Sequence, residues 1–153
     1  MKQPIVIYGG GKLGNQVLFH LEKQGYEVLG FADDTQEPLS VLKNGKKILG
    51  GFDYVISNKY SFSVAVAIGY KNLVAKQELI SKLLLEKVKL INFIHPAAYL
   101  ESPEKMGQGN FVMPGAVIDQ NVVLGDGNYI DIGVKIGEET VVGNGNYFSN
   151  GVM

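Results

Sequence analysis

Cysteine, arginine and tryptophan are absent from this 153-residue chain, and histidine occurs twice. Without cysteine there is no disulfide framework, no thiolate zinc site and no cysteine nucleophile. Without arginine no guanidinium fork can clamp a phosphate, so a phosphate site must use backbone N–H groups or the 14 lysines. A net charge of −1 offers no basic face for nucleic acid. No apolar run reaches the roughly 20 residues of a membrane span, and no signal-peptide pattern marks the first residues, so a cytoplasmic location is expected. A hydrophobic share of 46% excludes disorder. Glycine, by contrast, is plentiful. There are 20, about twice the average usage, ten before Ile94 and ten after.

From Pro4 to Phe93 short apolar runs alternate with helical periods. Ile5–Tyr8 reads as a strand that ends in Gly9-Gly10-Gly11. Leu13–Gln24 reads as a helix, with Val17, Leu18 and Leu21 on one face and Gly25 as its stop. Tyr26–Phe31 is the next strand, and Pro38–Gly51 is polar and turn-rich with short apolar pieces. Tyr54–Ile56, Val64–Ile68 and Leu90–Phe93 are further strand candidates, and Leu73–Lys87 is a second helix. Strands alternating with helices imply an α/β module with a parallel sheet, a small Rossmann-like half.

After Ile94 the helical period gives way to a repeat of six. Positions 94, 100, 106, 112, 118, 124, 130, 136, 142 and 148 are all apolar. A longer step overlies it. Gly107-x-Gly109-Asn110-Phe111 recurs 18 residues later as Gly125-x-Gly127-Asn128-Tyr129, and again as Gly143-x-Gly145-Asn146-Tyr147. Six residues make a short strand and a corner, and three such units make one 18-residue coil of a triangular solenoid. One residue per unit points inward and is aliphatic. The corners demand positive φ, which Gly and Asn tolerate best. A β-sandwich would space its turns irregularly, about 8–12 residues apart. Two modules are therefore expected, 1–93 and 94–153.

Gly9, Gly11 and Gly14 satisfy G-x-G-x-x-G after a strand and before a helix. The first permits the tight turn, the second lets backbone approach a pyrophosphate, and the third lets helix and strand pack closely. Asp33 lies 19 residues beyond Gly14, near where an acid would reach a ribose hydroxyl. By itself the fingerprint suggests NAD. The remaining sheet, however, is too small for a second mononucleotide half, and a bare tight turn also stays open. Lys12 is the local cation at the loop mouth.

Five stretches and the repeat carry a family resemblance. They are Ile5–Gly14, Tyr26–Asp34, Val66–Gly69, Phe93–Ala98 and the hexapeptide coils. Together they resemble the bacterial nucleotide-sugar acetyltransferases of the PglD/NeuD type, over essentially the whole chain. The resemblance implies a left-handed parallel β-helix after the Rossmann-like module, and a homotrimer assembled through it. It also implies acetyl-CoA as co-substrate, no metal, and acetyl transfer to the amine or hydroxyl of a nucleotide-activated sugar in surface glycan synthesis. The glycine loop then takes the sugar nucleotide's diphosphate. Gly9, Gly10, Gly11, Lys12, Leu13, Gly14 and Gly69 become substrate-binding residues, with Asp33 and Asp34 near the base or ribose.

Acetyl transfer to an amine calls for a base, and histidine is suited to it. His20 lies within the first helix and reads as structural, while His95 reads as a cap or turn residue. The family's base is a His in an Ile-x-His-Glu hexapeptide. The matching segment here is Ile136-Gly137-Glu138-Glu139, so Glu138 stands in the His position and Glu139 in that of the acid. Tyr147 stands where a second His belongs. Three readings stay open. Glu138 is a base raised by burial and by Glu139, the acceptor amine needs little help, or the protein is a nucleotide-sugar-binding module without catalysis. The pair as a solvated corner is the plain structural alternative. The last full coil is 124–141, and the next stops at Met153. Solenoid ends are ordinarily capped, so a C-terminally shortened chain or a partner-covered end is expected.

Overall fold

The computed structural model describes residues 2–153. Two compact units emerge. One comprises the chain to Gly69 with Ser81–Leu90, the other Tyr70–Ile80 with Ile91–Met153. Among the described residues no helix is long and apolar enough to cross a membrane.

The first unit is a four-stranded parallel sheet. Its elements are β1 (Ile5–Tyr8), α1 (Lys12–Lys23), β2 (Val28–Ala32), β3 (Ile48–Gly50), α2 (Phe52–Ser57) and β4 (Ser63–Val66), in strand order β3-β2-β1-β4. Every residue of β1 and β4 is buried, as a sheet covered on both faces requires. Ile5, Ile7, Leu21, Phe31, Ile48 and Phe62 form the centre of this core. The apolar face of α1, through Gly14, Val17, Leu18 and Leu21, is buried, as its period predicts.

Three expectations change here. Tyr54–Ile56 folds within helix α2, not as a strand. The Asp34 carboxylate accepts the Phe52 N–H at 2.9 Å where this helix begins, and in α2 only Val55 is buried. Three apolar residues hold too little period to separate strand from helix. Conversely Ile48–Gly50, inside the segment read as turn-rich, pairs with β2 as the outer strand. Leu90 makes only an isolated parallel bridge to Val64, and Phe93 opens the coils of the second unit.

The second unit contains the start of α3 (Leu73–Leu85) and nine two-residue strands. These are β5 (Phe93–Ile94), β6 (Tyr99–Leu100), β7 (Phe111–Val112), β8 (Val117–Ile118), β9 (Val123–Leu124), β10 (Tyr129–Ile130), β11 (Lys135–Ile136), β12 (Val141–Val142) and β13 (Tyr147–Phe148). They form three parallel ladders, β13-β10-β7-β5, β11-β8-β6 and β12-β9. Every pairing advances by 18 residues, as in Phe93↔Phe111, Tyr99↔Val117 and Val123↔Val141. Val112, Ile118, Leu124, Ile130, Ile136 and Val142 all face the core, so the six-residue repeat marks the interior. Ile94, in the outermost strand of its ladder, is 39% exposed.

Corners repeat with the same step. Gly109, Gly127 and Gly145 take φ of 74°, 68° and 69°, and Gly115, Gly133 and Gly151 take 71°, 70° and 76°. At the third corner Asn121 and Glu139 both take 59°. Beside the first corner runs an asparagine ladder. The N–H groups of Asn110, Asn128 and Asn146 donate to the side-chain oxygens of Asn92, Asn110 and Asn128 at 2.8, 2.8 and 2.9 Å. Asn110 and Asn128 are fully buried and pass their amide hydrogens on to the Gly125 and Gly143 carbonyls. Phe93, Phe111, Tyr129 and Tyr147 stack alongside, with ring centroids 6.2, 5.9 and 5.1 Å apart. Helix α3 lies on this corner because glycine leaves it room. A Cβ on Gly127 would stand 2.0 Å from Ile80 Cδ1, and one on Gly145 2.3 Å from Gln77 Cγ.

Candidate functional site

In the first unit the strand order reverses between β1 and β4, and such a switch point opens a crevice at the carboxyl ends of the strands. Two loops line it, Gly9–Gly11 after β1 and Ala67–Gly69 after β4. Gly9 has φ of +117°, and a Cβ there would lie 2.5 Å from the Ala67 carbonyl oxygen, so only glycine lets the loops come this close. Gly14 is fixed by packing. Its Cβ would meet the Gly9 carbonyl oxygen at 2.0 Å, which ties the first turn of α1 to the loop.

Gly11 is the N-cap of α1. No side chain caps this end, and no acidic residue occupies the first turn. The N–H groups of Lys12, Leu13 and Gly14 therefore face the loop mouth with a positive helix end behind them. Gly11 and Gly69 open onto free space, since a Cβ on either meets nothing within 4 Å. Lys12 is exposed at the same mouth. A helix N-terminus of this form is suited to a phosphate.

Both aspartates are engaged by hydrogen bonds within the chain. Asp33 Oδ2 accepts the Gly10 N–H at 2.9 Å and the Gln36 amide at 3.0 Å. Its Oδ1 accepts the Thr35 N–H and hydroxyl at 2.8 and 2.6 Å. Burial raises its pKa, but the hydrogen bonds from Thr35, Gly10 and Gln36 outweigh it and hold the carboxyl below its ordinary value. An ionised Asp33 thus clamps the glycine loop and takes up the Gly10 N–H itself. Asp34 turns elsewhere, to the Phe52 N–H and to the Tyr8 hydroxyl. Burial, then that hydrogen bond and the charges of Asp34, Asp33 and Asp53, push the Tyr8 hydroxyl above its usual range.

In the second unit Glu138 and Glu139 are both exposed, so the burial invoked to raise Glu138 is missing within the chain. Glu138 accepts a hydrogen bond from the Gln120 amide at 3.2 Å. Glu139 occupies the left-handed corner, and its N–H donates to the Gln120 carbonyl at 3.0 Å. Tyr147 donates to Asp131 at 3.2 Å and packs 5.4 Å from Tyr70. Burial, then the charge and hydrogen bond of Asp131, push its hydroxyl up to about 12. His95 Nδ1 accepts the Ala97 N–H at 3.0 Å within a turn, and His20 packs edge-on to Phe19. A cavity of about 420 Å³ at the last coil is lined mainly by Ile136, Val142, Phe148 and Val152, with Lys135, Thr140 and Asn146 as polar residues of its wall. Among the described residues no group of three His, Asp or Glu could hold a metal.

Sequence reasoning missed three features. The loop clamp by Thr35 and Gln36 left no signal. The 18-residue step of the Gly-Asn pairs predicts their stacking at one corner, but neither the hydrogen-bonded ladder from Asn92 nor the aromatic stack beside it. Lys76 is 2% exposed on α3, with its ammonium 3.5 Å from the Asn146 carbonyl oxygen. Burial lowers its pKa to about 8.

Solved structures share this fold. The acetyltransferase domain of PglB from Neisseria gonorrhoeae FA1090 is 22% identical with a TM-score of 0.76, over 95% of this chain and 70% of that one. A variant of GDP-perosamine N-acetyl transferase from Caulobacter crescentus, in complex with CoA and GDP-perosamine, is 24% identical with a TM-score of 0.60, over 97% and 90%. WeeI from Acinetobacter baumannii AYE is 18% identical with a TM-score of 0.69, over 94% and 72%. No curated protein sequence matches the chain. The sequence profile of the PglD N-terminal domain matches residues 4–83, the stretch that carries the glycine loop, both aspartates and Gly69, and the chain belongs to that family.

Proposed function

We propose that this protein transfers an acetyl group from acetyl-CoA to the amine or hydroxyl of a nucleotide-activated sugar in glycan biosynthesis. The observation that carries the reading is the uncapped N-terminus of α1 behind Gly9–Gly11 at the β1/β4 switch point. The N–H groups of Gly11, Lys12, Leu13 and Gly14 hold the diphosphate, aided by the Lys12 ammonium. Gly9 and Gly10 shape the loop, Gly69 keeps the facing wall open, and Asp33 and Asp34 sit at the nucleoside end. The likeness to a GDP-perosamine N-acetyl transferase holding CoA and GDP-perosamine supports this substrate class.

The reading divides the chain into a nucleotide-sugar module, 1–93, and a left-handed hexapeptide β-helix, 94–153. The β-helix assembles as a homotrimer in the cytoplasm. A neutral acceptor attacks the thioester carbonyl, the tetrahedral oxyanion collapses, CoA thiolate leaves and the acceptor gives up its proton. Glu138 is the proposed proton acceptor, with Glu139 shaping the corner that presents it.

A second reading rests on those same two residues, which are exposed at a turn where the family pattern has a histidine. There the protein binds nucleotide sugars without transferring acetyl groups. A thermal-shift panel of UDP, GDP and CMP sugars against NAD tests what the two readings share, and stabilisation by NAD alone would sink both. Release of free thiol from acetyl-CoA with an amino-sugar nucleotide then separates them. Full rate in Glu138→Ala would remove Glu138 from the mechanism.

A further inference from the structure

In dinucleotide-binding folds the acid that ends the second strand reads the ribose, and here that place belongs to Asp33. An ionised carboxylate offers about four acceptor positions. Asp33 has filled all four, with the Gly10 N–H, the Gln36 amide, and the Thr35 N–H and hydroxyl. It has no lone pair left for a ligand hydroxyl. Asp34 is held away by the Tyr8 hydroxyl and the Phe52 N–H.

Gln36 inherits the position. Its side chain lies over Gly10, close enough that a Cβ on Gly10 would stand 2.6 Å from Nε2. The partner of that nitrogen fixes the orientation of the amide, because only the NH₂ end can donate to the Asp33 carboxylate. Oε1 is then the other end of this half-buried side chain, and among the described residues no hydrogen bond reaches it. Ribose is joined directly to the diphosphate, so with phosphates on the N–H groups of Gly11–Gly14 the sugar is the nucleoside part nearest Gly10. We propose that Gln36 is the ribose-reading residue, its Oε1 accepting a hydrogen bond from the 2′- or 3′-hydroxyl. This rests on the reading of the loop as a nucleoside-diphosphate site.

Asp33 acts as a positioning residue in this arrangement. It holds Gln36 by the nitrogen and so presents the oxygen. A carboxylate spent on the loop and an amide spent on the ligand replace the single acid of the dinucleotide enzymes.

The test is calorimetric titration of the full chain with UDP and GDP and their 2′-deoxy and 3′-deoxy counterparts. Wild type should bind the ribonucleotide roughly tenfold more tightly than one of the two deoxy forms, and which one identifies the hydroxyl. In Gln36→Leu, and in the volume-matched Gln36→Met, that ratio should fall to about one. Thr35→Val removes one bond to Asp33 but leaves Gln36 intact, so the ratio should persist whatever the change in overall affinity. A ratio unchanged by both Gln36 variants, or a wild type indifferent to both hydroxyls, overturns the proposal alone. A wild type that binds neither UDP nor GDP overturns it together with the diphosphate reading.

Discussion

Replacing Lys76 by methionine should stabilise the protein at neutral pH. The side chain is 2% exposed, its ammonium donates to the Asn146 carbonyl at a long 3.5 Å, and burial lowers its pKa from 10.5 to about 8. At about 1.4 kcal/mol per unit, this shift corresponds to roughly 3 kcal/mol charged against the folded state. Below pH 8 the amine is protonated both folded and unfolded, so the whole cost is present. Between pH 8 and 10.5 the folded amine releases its proton while the unfolded one keeps it, so stability rises with pH. Burial also holds the hydroxyls of Tyr8, Tyr129 and Tyr147 above 10, which removes stability at higher pH, so the useful window ends near 9.5. Methionine keeps the volume and drops the charge. Urea unfolding should place Lys76→Met about 3 kcal/mol above wild type at pH 7 and about 1 kcal/mol above at pH 9.5. A less stable variant, or a gap independent of pH, would refute the reasoning.

Three further outcomes follow from the packing. Gly14→Ala drives a methyl to 2.0 Å from the Gly9 carbonyl oxygen, so α1 must shift. We expect a loss of roughly 1–3 kcal/mol in thermal melts and loss of nucleotide binding in titrations. Asn128→Ala leaves the Asn146 N–H and the Gly143 carbonyl without their partners. The cost should be about 2–5 kcal/mol, read from chemical denaturation. Glu139→Asn matches the corner one coil earlier, Asn121, at the same φ of 59°. It should gain up to about 1 kcal/mol in thermal unfolding and leave the thiol-release rate unchanged if Glu139 serves only the turn.

The coils were legible because their constraint is local and repeats. An inward aliphatic residue every six positions and a corner glycine every 18 mark the interior and the turns from Val112 to Val142. The glycine loop was legible for a related reason, since the spacing of Gly9, Gly11 and Gly14 encodes two steric contacts, with Ala67 and with Gly9 itself. What stayed hidden depends on partners distant in sequence. Asp33 looked like a ligand-facing acid, and only the position of Gly10, 23 residues away, turns it into a clamp. For Glu138 the sequence leaves a buried base and a solvated corner both open, and within the chain the coil geometry puts it at an exposed corner. Tyr54–Ile56 was ambiguous by length, and its helix begins where Asp34 reaches across 18 residues. Lys76 reads as a surface lysine until the glycine corner brings α3 onto the coils.

The central claim is that the open end of α1 receives a sugar nucleotide's diphosphate, and amide chemical shifts test it most directly. In the ¹⁵N-labelled full chain, titration with UDP- and GDP-linked amino sugars should move the signals of Gly11, Lys12, Leu13, Gly14 and Gly69 most. NAD at the same concentration should leave them in place. Saturating shifts confined to other parts of the chain, or none with any nucleotide sugar, would contradict the account.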